Sequence, residues 1–109
     1  MQYMLLICGV EGTHIEPAVE ECTESWVDEL DRRGIRVTGN RLRPVADSTC
    51  VRVRGGDTLL TDGPFAETKE QVLGFDLIEC ADLDEALEIA ARHPVATWGT
   101  IEVRPLWTE

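Results

Sequence analysis

Val72-Leu73-Gly74-Phe75-Asp76-Leu77-Ile78-Glu79-Cys80-Ala81-Asp82-Leu83-Asp84-Glu85 passes from one kind of backbone to another in a single sweep. Val72 to Cys80 is apolar and β-prone, and Gly74 marks a bulge or a close approach of another backbone. Asp82 then reads as a helix N-cap, with Glu85 at the reciprocal capping position. Leu83, Ala86, Leu87, Ala90 and Ala91 follow as the stripe expected to be buried. His93-Pro94 stops the helix, because proline disfavours helical backbone in the residue before it. Thr100 to Val103, closed by Pro105, is a further strand. The stretch therefore opens a strand–helix–strand unit.

Upstream, the same unit is written once more. Tyr3 to Cys8 is a short apolar run ended by Gly9, a buried strand. Val19, Cys22, Trp26, Leu30 and Arg33 recur at helical steps, while Glu20, Glu21, Glu24, Asp28 and Asp31 occupy the other side. Gly34 is a natural C-terminal stop. Ile35 to Leu42 is strand-like, with an irregularity expected at Gly39-Asn40. Between the two units, Cys50-Val51-Arg52-Val53-Arg54 alternates strictly, Gly55-Gly56-Asp57 is a hairpin turn, and Thr58 to Thr61 returns. The order predicts an α+β ferredoxin-like sandwich, with two helices on one face of a mostly antiparallel sheet and an inserted β-hairpin. The other sheet face needs a cover, and a second copy of the chain is the simplest one.

The bulk properties narrow the function. The 109 residues fit one domain, 1–109, with a small core that dimerisation would enlarge. A net charge of −11 disfavours contact with nucleic acid and with anionic membranes. There is no secretory pattern and no apolar run long enough to span a bilayer, so a cytoplasmic protein is expected. Cys8, Cys22, Cys50 and Cys80 are far apart and form no metal-ligand spacing; four reduced cysteines, no metal and no cofactor are expected. Phosphate loops, dinucleotide fingerprints and serine-hydrolase elbows are absent from the sequence.

The chemistry concentrates mid-chain, in Asp62-Gly63-Pro64-Phe65-Ala66-Glu67-Thr68-Lys69-Glu70. Asp62 is a carboxylate at a strand end fixed by a Gly-Pro turn: a turn residue, or a general base if partly buried. Glu67 folding back beside it would raise one of the two pKa values. Lys69 and Glu70 read as surface charges. His93 is a helix-end cation or a proton shuttle, and His14 is a loop residue. Arg52 and Arg54 share one strand face, suited either to discouraging edge pairing or to holding a carboxylate. Phe65 anchors the motif, and Trp26, Trp98 and Trp107 are expected in the core or at a dimer interface.

Tyr3 to Ile7, Val51 to Asp57, Thr61 to Gln71, Asp82 to Ala86 and Ile101 to Pro105 together resemble the YCII-related family, and within it the subgroup named for its Asp-Gly-Pro-Phe motif. The resemblance implies a ferredoxin-like fold assembled as a dimeric α/β barrel. It implies small-molecule lyase activity for some members, a His-Asp pair as the suspected chemistry, and sigma-factor association for others. Gly74-Phe75-Asp76 departs from the subgroup, placing a carboxylate where an aromatic often stands. Two functions are expected in competition. One is a lyase or isomerase with Asp62, His93 and Glu67 catalytic and Arg52, Arg54, Phe65 and Asp76 holding substrate. The other is a non-catalytic module whose Glu20, Glu21 and Glu24 face docks a basic protein such as a sigma factor.

Overall fold

A computed structural model describes residues 1–63 and 69–108. In chain order it contains β1 (Gln2–Gly9), α1 (Pro17–Arg32), β2 (Arg36–Arg41), β3 (Thr49–Arg54), β4 (Asp57–Asp62), β5 (Gln71–Glu79), α2 (Leu83–Ala91) and β6 (Thr100–Pro105). Short 3-10 turns at Val45–Asp47 and Pro94–Thr97 join β2 to β3 and α2 to β6. No helix among the described residues is long and apolar enough to cross a membrane.

Four strands form one antiparallel sheet in the order β2-β5-β1-β6. This is the ferredoxin-like order, with each helix crossing between two strands that are not neighbours. Residues alternate between faces with period two. Tyr3, Leu5 and Ile7 of β1 point to the helix side with Ile78 of β5, and they pack with Trp26, Leu30, Ala86, Ile89 and Ala90. Met4, Leu6, Phe75 and Leu77 alternate with these, paired Met4 to Leu77 and Leu6 to Phe75. The register slips between Ile7 and Cys8, where β1 faces Leu73 and Gly74.

The second sheet holds only β3 and β4, paired antiparallel from Thr49–Asp62 to Arg54–Asp57. Gly55 and Gly56 turn it with φ of 58° and 84°, values that residues with a Cβ rarely adopt.

Several details differ from the sequence expectation. Helix α2 buries Ala86, Ile89 and Ala90, while Leu83, Leu87 and Ala91 are exposed. The buried stripe is rotated toward α1, from which Trp26 reaches across and donates its indole N–H to the Ile89 carbonyl at 3.0 Å. In α1 the partly buried residues beside Trp26 and Leu30 include Thr23 and Val27, and Cys22 is exposed. The irregularity in β2 falls between Arg36 and Thr38, not at Gly39-Asn40. Trp107 is 96% exposed beyond the last strand and takes no part in the core. Asp82 caps α2 by accepting from Glu85 N–H at 2.9 Å, but the Glu85 carboxylate accepts from Ala81 N–H instead of closing the box on the cap residue itself.

Candidate functional site

Helix α1, the outer strand β2 and the loop after β1 enclose a cleft of about 530 Å³. That size suits a small metabolite. Val19, Thr23 and Val27 line it from α1; Arg36, Gly39 and Asn40 from β2; Asp76 from β5; and His93 and Trp98 from the α2–β6 connection.

Asp76 lies on the helix face of β5 and is 6% exposed. Its Oδ1 accepts from Arg36 Nε at 2.9 Å, and Arg36 also reaches Asp31 at 3.5 Å. Burial pushes the Asp76 carboxyl above the usual carboxylate range, and the Arg36 guanidinium holds that rise back. Gly39, opposite Asp76 in the ladder, makes the pair possible. A Cβ there would overlap Asp76 Oδ1 and lie 2.9 Å from Arg36 Nη2.

His93 is 4% exposed and stands edge-on to Trp26, with ring centroids 4.7 Å apart. It caps the Pro94–Thr97 turn: its Nδ1 accepts from Val95 N–H at 3.0 Å. An accepting Nδ1 carries no proton, so the neutral ring is protonated on Nε2. Burial lowers the His93 pKa from 6.5 to about 4. At neutral pH this side chain is thus an uncharged N–H donor in the cleft wall. The Nε1–H of Trp98 is also buried there, without a partner among the described residues.

The structure brings together only some of the residues expected to act. Asp76 and His93 line one cleft. Asp62 ends β4, exposed, and does not line it; nor do Arg52 and Arg54, which are exposed on β3. Phe65 and Glu67 lie outside the described residues. His14 is an exposed loop residue 3.2 Å from Glu16. Sequence reasoning missed Arg36 and the steric role of Gly39. Arg36 sits 40 residues from Asp76, and no local pattern announces a pairing across that distance.

An α+β sheet with both helices on one face and a cleft beneath α1, where buried polar side chains stand among apolar ones, defines a small α+β protein with a candidate ligand site. The chain belongs to the YCII-related domain family, which it matches over residues 1–109. It is similar to an uncharacterised protein of Rhizobium meliloti (strain 1021), with 43% identity covering 80% of this chain and 84% of the relative.

Proposed function

We propose that the protein is a lyase or isomerase that works by side-chain proton transfer on a small carbonyl compound bound in the α1–β2 cleft. In this reading Asp76 is the base and takes the role the sequence suggested for Asp62. Its raised pKa makes it a stronger base than an ordinary carboxylate, and the Arg36 guanidinium favours its ionised form. His93 donates its Nε2–H to the carbonyl oxygen, which gains negative charge as the proton leaves the adjacent carbon. A neutral imidazole suits this because it stabilises the developing charge without first having to be protonated. The electron pair left on carbon then expels a leaving group on the neighbouring atom, or collects a proton at another carbon.

The substrate class follows from the walls. Glu11, Glu20, Glu24 and Asp76 line the cleft against Arg36 and Arg41, and Arg36 is already engaged by two carboxylates. An uncharged lactone or ketone meets less repulsion there than a carboxylate does. The open face of the four-stranded sheet belongs to the same reading, as the surface through which two copies pair.

One observation carries the proposal: a buried carboxylate and an uncharged imidazole line the same cleft. The test follows deuterium uptake from solvent into the carbon next to the carbonyl, by NMR, across a panel of enolisable lactones and ketones. Wild type should catalyse uptake with at least one of them, and Asp76→Asn should abolish it with the fold intact. Uptake that persists in both Asp76→Asn and His93→Asn, or is absent across the panel, rejects the assignment.

A further inference from the structure

We propose that Asp31, which stands outside the cleft, is a positioning residue for the cleft carboxylate: it shares the Arg36 guanidinium with Asp76 and leaves Asp76 Oδ2 free to take a proton. The inference rests on the reading of Asp76 as the base and adds to it the residue that sets how strong that base is.

The three side chains form a row. Asp76 Oδ1 accepts from Arg36 Nε at 2.9 Å, and Asp31 Oδ1 lies 3.5 Å from Arg36 Nη1. The remaining nitrogen, Nη2, lies against the β2 backbone, 2.9 Å from where a Cβ on Gly39 would stand. A guanidinium can hold both oxygens of one carboxylate through two parallel bonds. Here it holds one oxygen from each of two carboxylates instead. Asp76 Oδ2 accepts no hydrogen bond from any described residue, so its lone pairs are available to a substrate proton.

The chain builds this row locally. Asp31 stands in the last turn of α1, and Arg36 opens β2. Gly34 reverses the backbone between them with φ of 69°, and Ile35 N–H closes the helix end on the Leu30 carbonyl at 2.9 Å. That turn lays Arg36 beside the helix it has just left. A carboxylate in the last turn meets the negative end of the helix dipole, so α1 itself gains nothing from Asp31. The partner that accounts for its charge is Arg36.

Two carboxylates on one cation are each neutralised less than in a simple pair. Burial, and in smaller part the Asp31 charge, hold the Asp76 carboxyl above its ordinary 3.8, while Arg36 pulls it down. The other charged side chains along the cleft are Glu11, Glu20, Glu24 and Arg41, and none of them bonds to Asp76. His93 faces the cleft uncharged at neutral pH, and β1 offers Asp76 the apolar Leu5 as its ladder partner. Side-chain exposure rises along the row from 8% at Asp76 to 19% at Arg36 and 49% at Asp31. The outer charge can therefore be removed without opening the core.

The test titrates the Asp76 carboxyl carbon by 13C NMR, assigned through Asp76→Asn, and needs no substrate. Asp31→Asn removes the charge and keeps an oxygen for Arg36 Nη1. Its Asp76 midpoint should move to lower pH than in wild type. Glu29→Gln removes an equal charge from the same helix, at a residue paired with Arg33 at 3.9 Å and not with Arg36. Its Asp76 midpoint should stay where wild type has it. An unchanged midpoint in Asp31→Asn, or an equal shift in both variants, overturns the inference and leaves the catalytic reading of Asp76 standing. A shift confined to Asp31→Asn, with no deuterium uptake by any compound of the panel, upholds the inference and removes the catalytic reading.

Discussion

His93 meets Trp26 edge to face at 4.7 Å, in a position where the imidazole is nearly sealed from water. The indole is itself fixed by its bond to the Ile89 carbonyl. Charging the imidazole there means desolvating an ion with no carboxylate bonded to it among the described residues, and burial is the cause of its low pKa. As pH falls, the unfolded chain takes up this proton near 6.5 and the folded chain only near 4. The resulting stability is complete above pH 6.5 and disappears as pH falls through about 4. Over the whole window it amounts to roughly 3 kcal/mol. Urea unfolding between pH 7 and pH 4 should show the decline. His93→Asn, whose side-chain oxygen can still accept from Val95 N–H, should flatten it. A His93 ring that titrates near 6.5 by NMR would contradict this account.

Arg36→Met leaves Asp76 buried opposite an apolar side chain. Breaking one partner of a buried pair costs about 3–5 kcal/mol, because the remaining charge has no compensation. The Asp76 carboxyl, already raised by burial, must rise further once the guanidinium is gone. A carboxyl raised in the folded state stabilises below its unfolded value near 3.8 and loses that contribution as pH rises. The deficit of Arg36→Met should therefore be largest at neutral pH and shrink toward pH 4. Denaturation at both pH values measures it, and an equal deficit at the two contradicts a charged Asp76. Replacing both residues, as Arg36→Met with Asp76→Leu, should recover much of the loss.

The sheet and both helices were legible because their signals are local. Asp82 and Glu85 announce the start of α2, Gly34 the end of α1, and the alternation around Gly55-Gly56 the hairpin. What was not legible depends on neighbours distant in the chain. Leu87 and Ile89 are both aliphatic, and Ile89 is the buried one because it faces the core that Trp26 and Leu30 of α1 build with the sheet. Asp76 is conspicuous in the sequence as an unusual carboxylate, yet its partner Arg36, 40 residues away, and the space left by Gly39 come from a different strand. Asp62 drew attention because its turn chemistry is conspicuous, whereas proximity to His93 is a property of topology.

Asp82→Ala should loosen the start of α2. Its carboxylate accepts from Glu85 N–H at 2.9 Å and lies at the positive end of the helix dipole. Losing an N-cap of this kind costs about 1 kcal/mol. Asp82→Asn keeps the acceptor and should lose less. Amide exchange resolves the effect: the Glu85 and Ala86 amides should exchange faster in the alanine variant while those of β1 are unchanged. Uniform acceleration would mean that the cap supports the whole fold instead of one helix end.

Gly39→Ala tests whether the Arg36–Asp76 pair depends on the space opposite it. The requirement is steric, since Gly39 has no left-handed backbone. A Cβ at this position competes with Asp76 Oδ1, and it would also lie 2.7 Å from the Phe75 carbonyl oxygen, which cannot move without disturbing the sheet. The single variant should lose about 2–4 kcal/mol, the range in which strain and a broken buried pair fall. Asp76→Ala removes the side-chain obstacle and leaves the carbonyl one. In a double-mutant cycle, Gly39→Ala with Asp76→Ala should therefore lose less than the sum of the single variants, by 1 kcal/mol or more. It should still fall short of Asp76→Ala alone, because the Phe75 carbonyl remains. Strict additivity across the four proteins in urea would mean that the added methyl is accommodated by backbone movement, and that Gly39 is not what lets the carboxylate into the cleft.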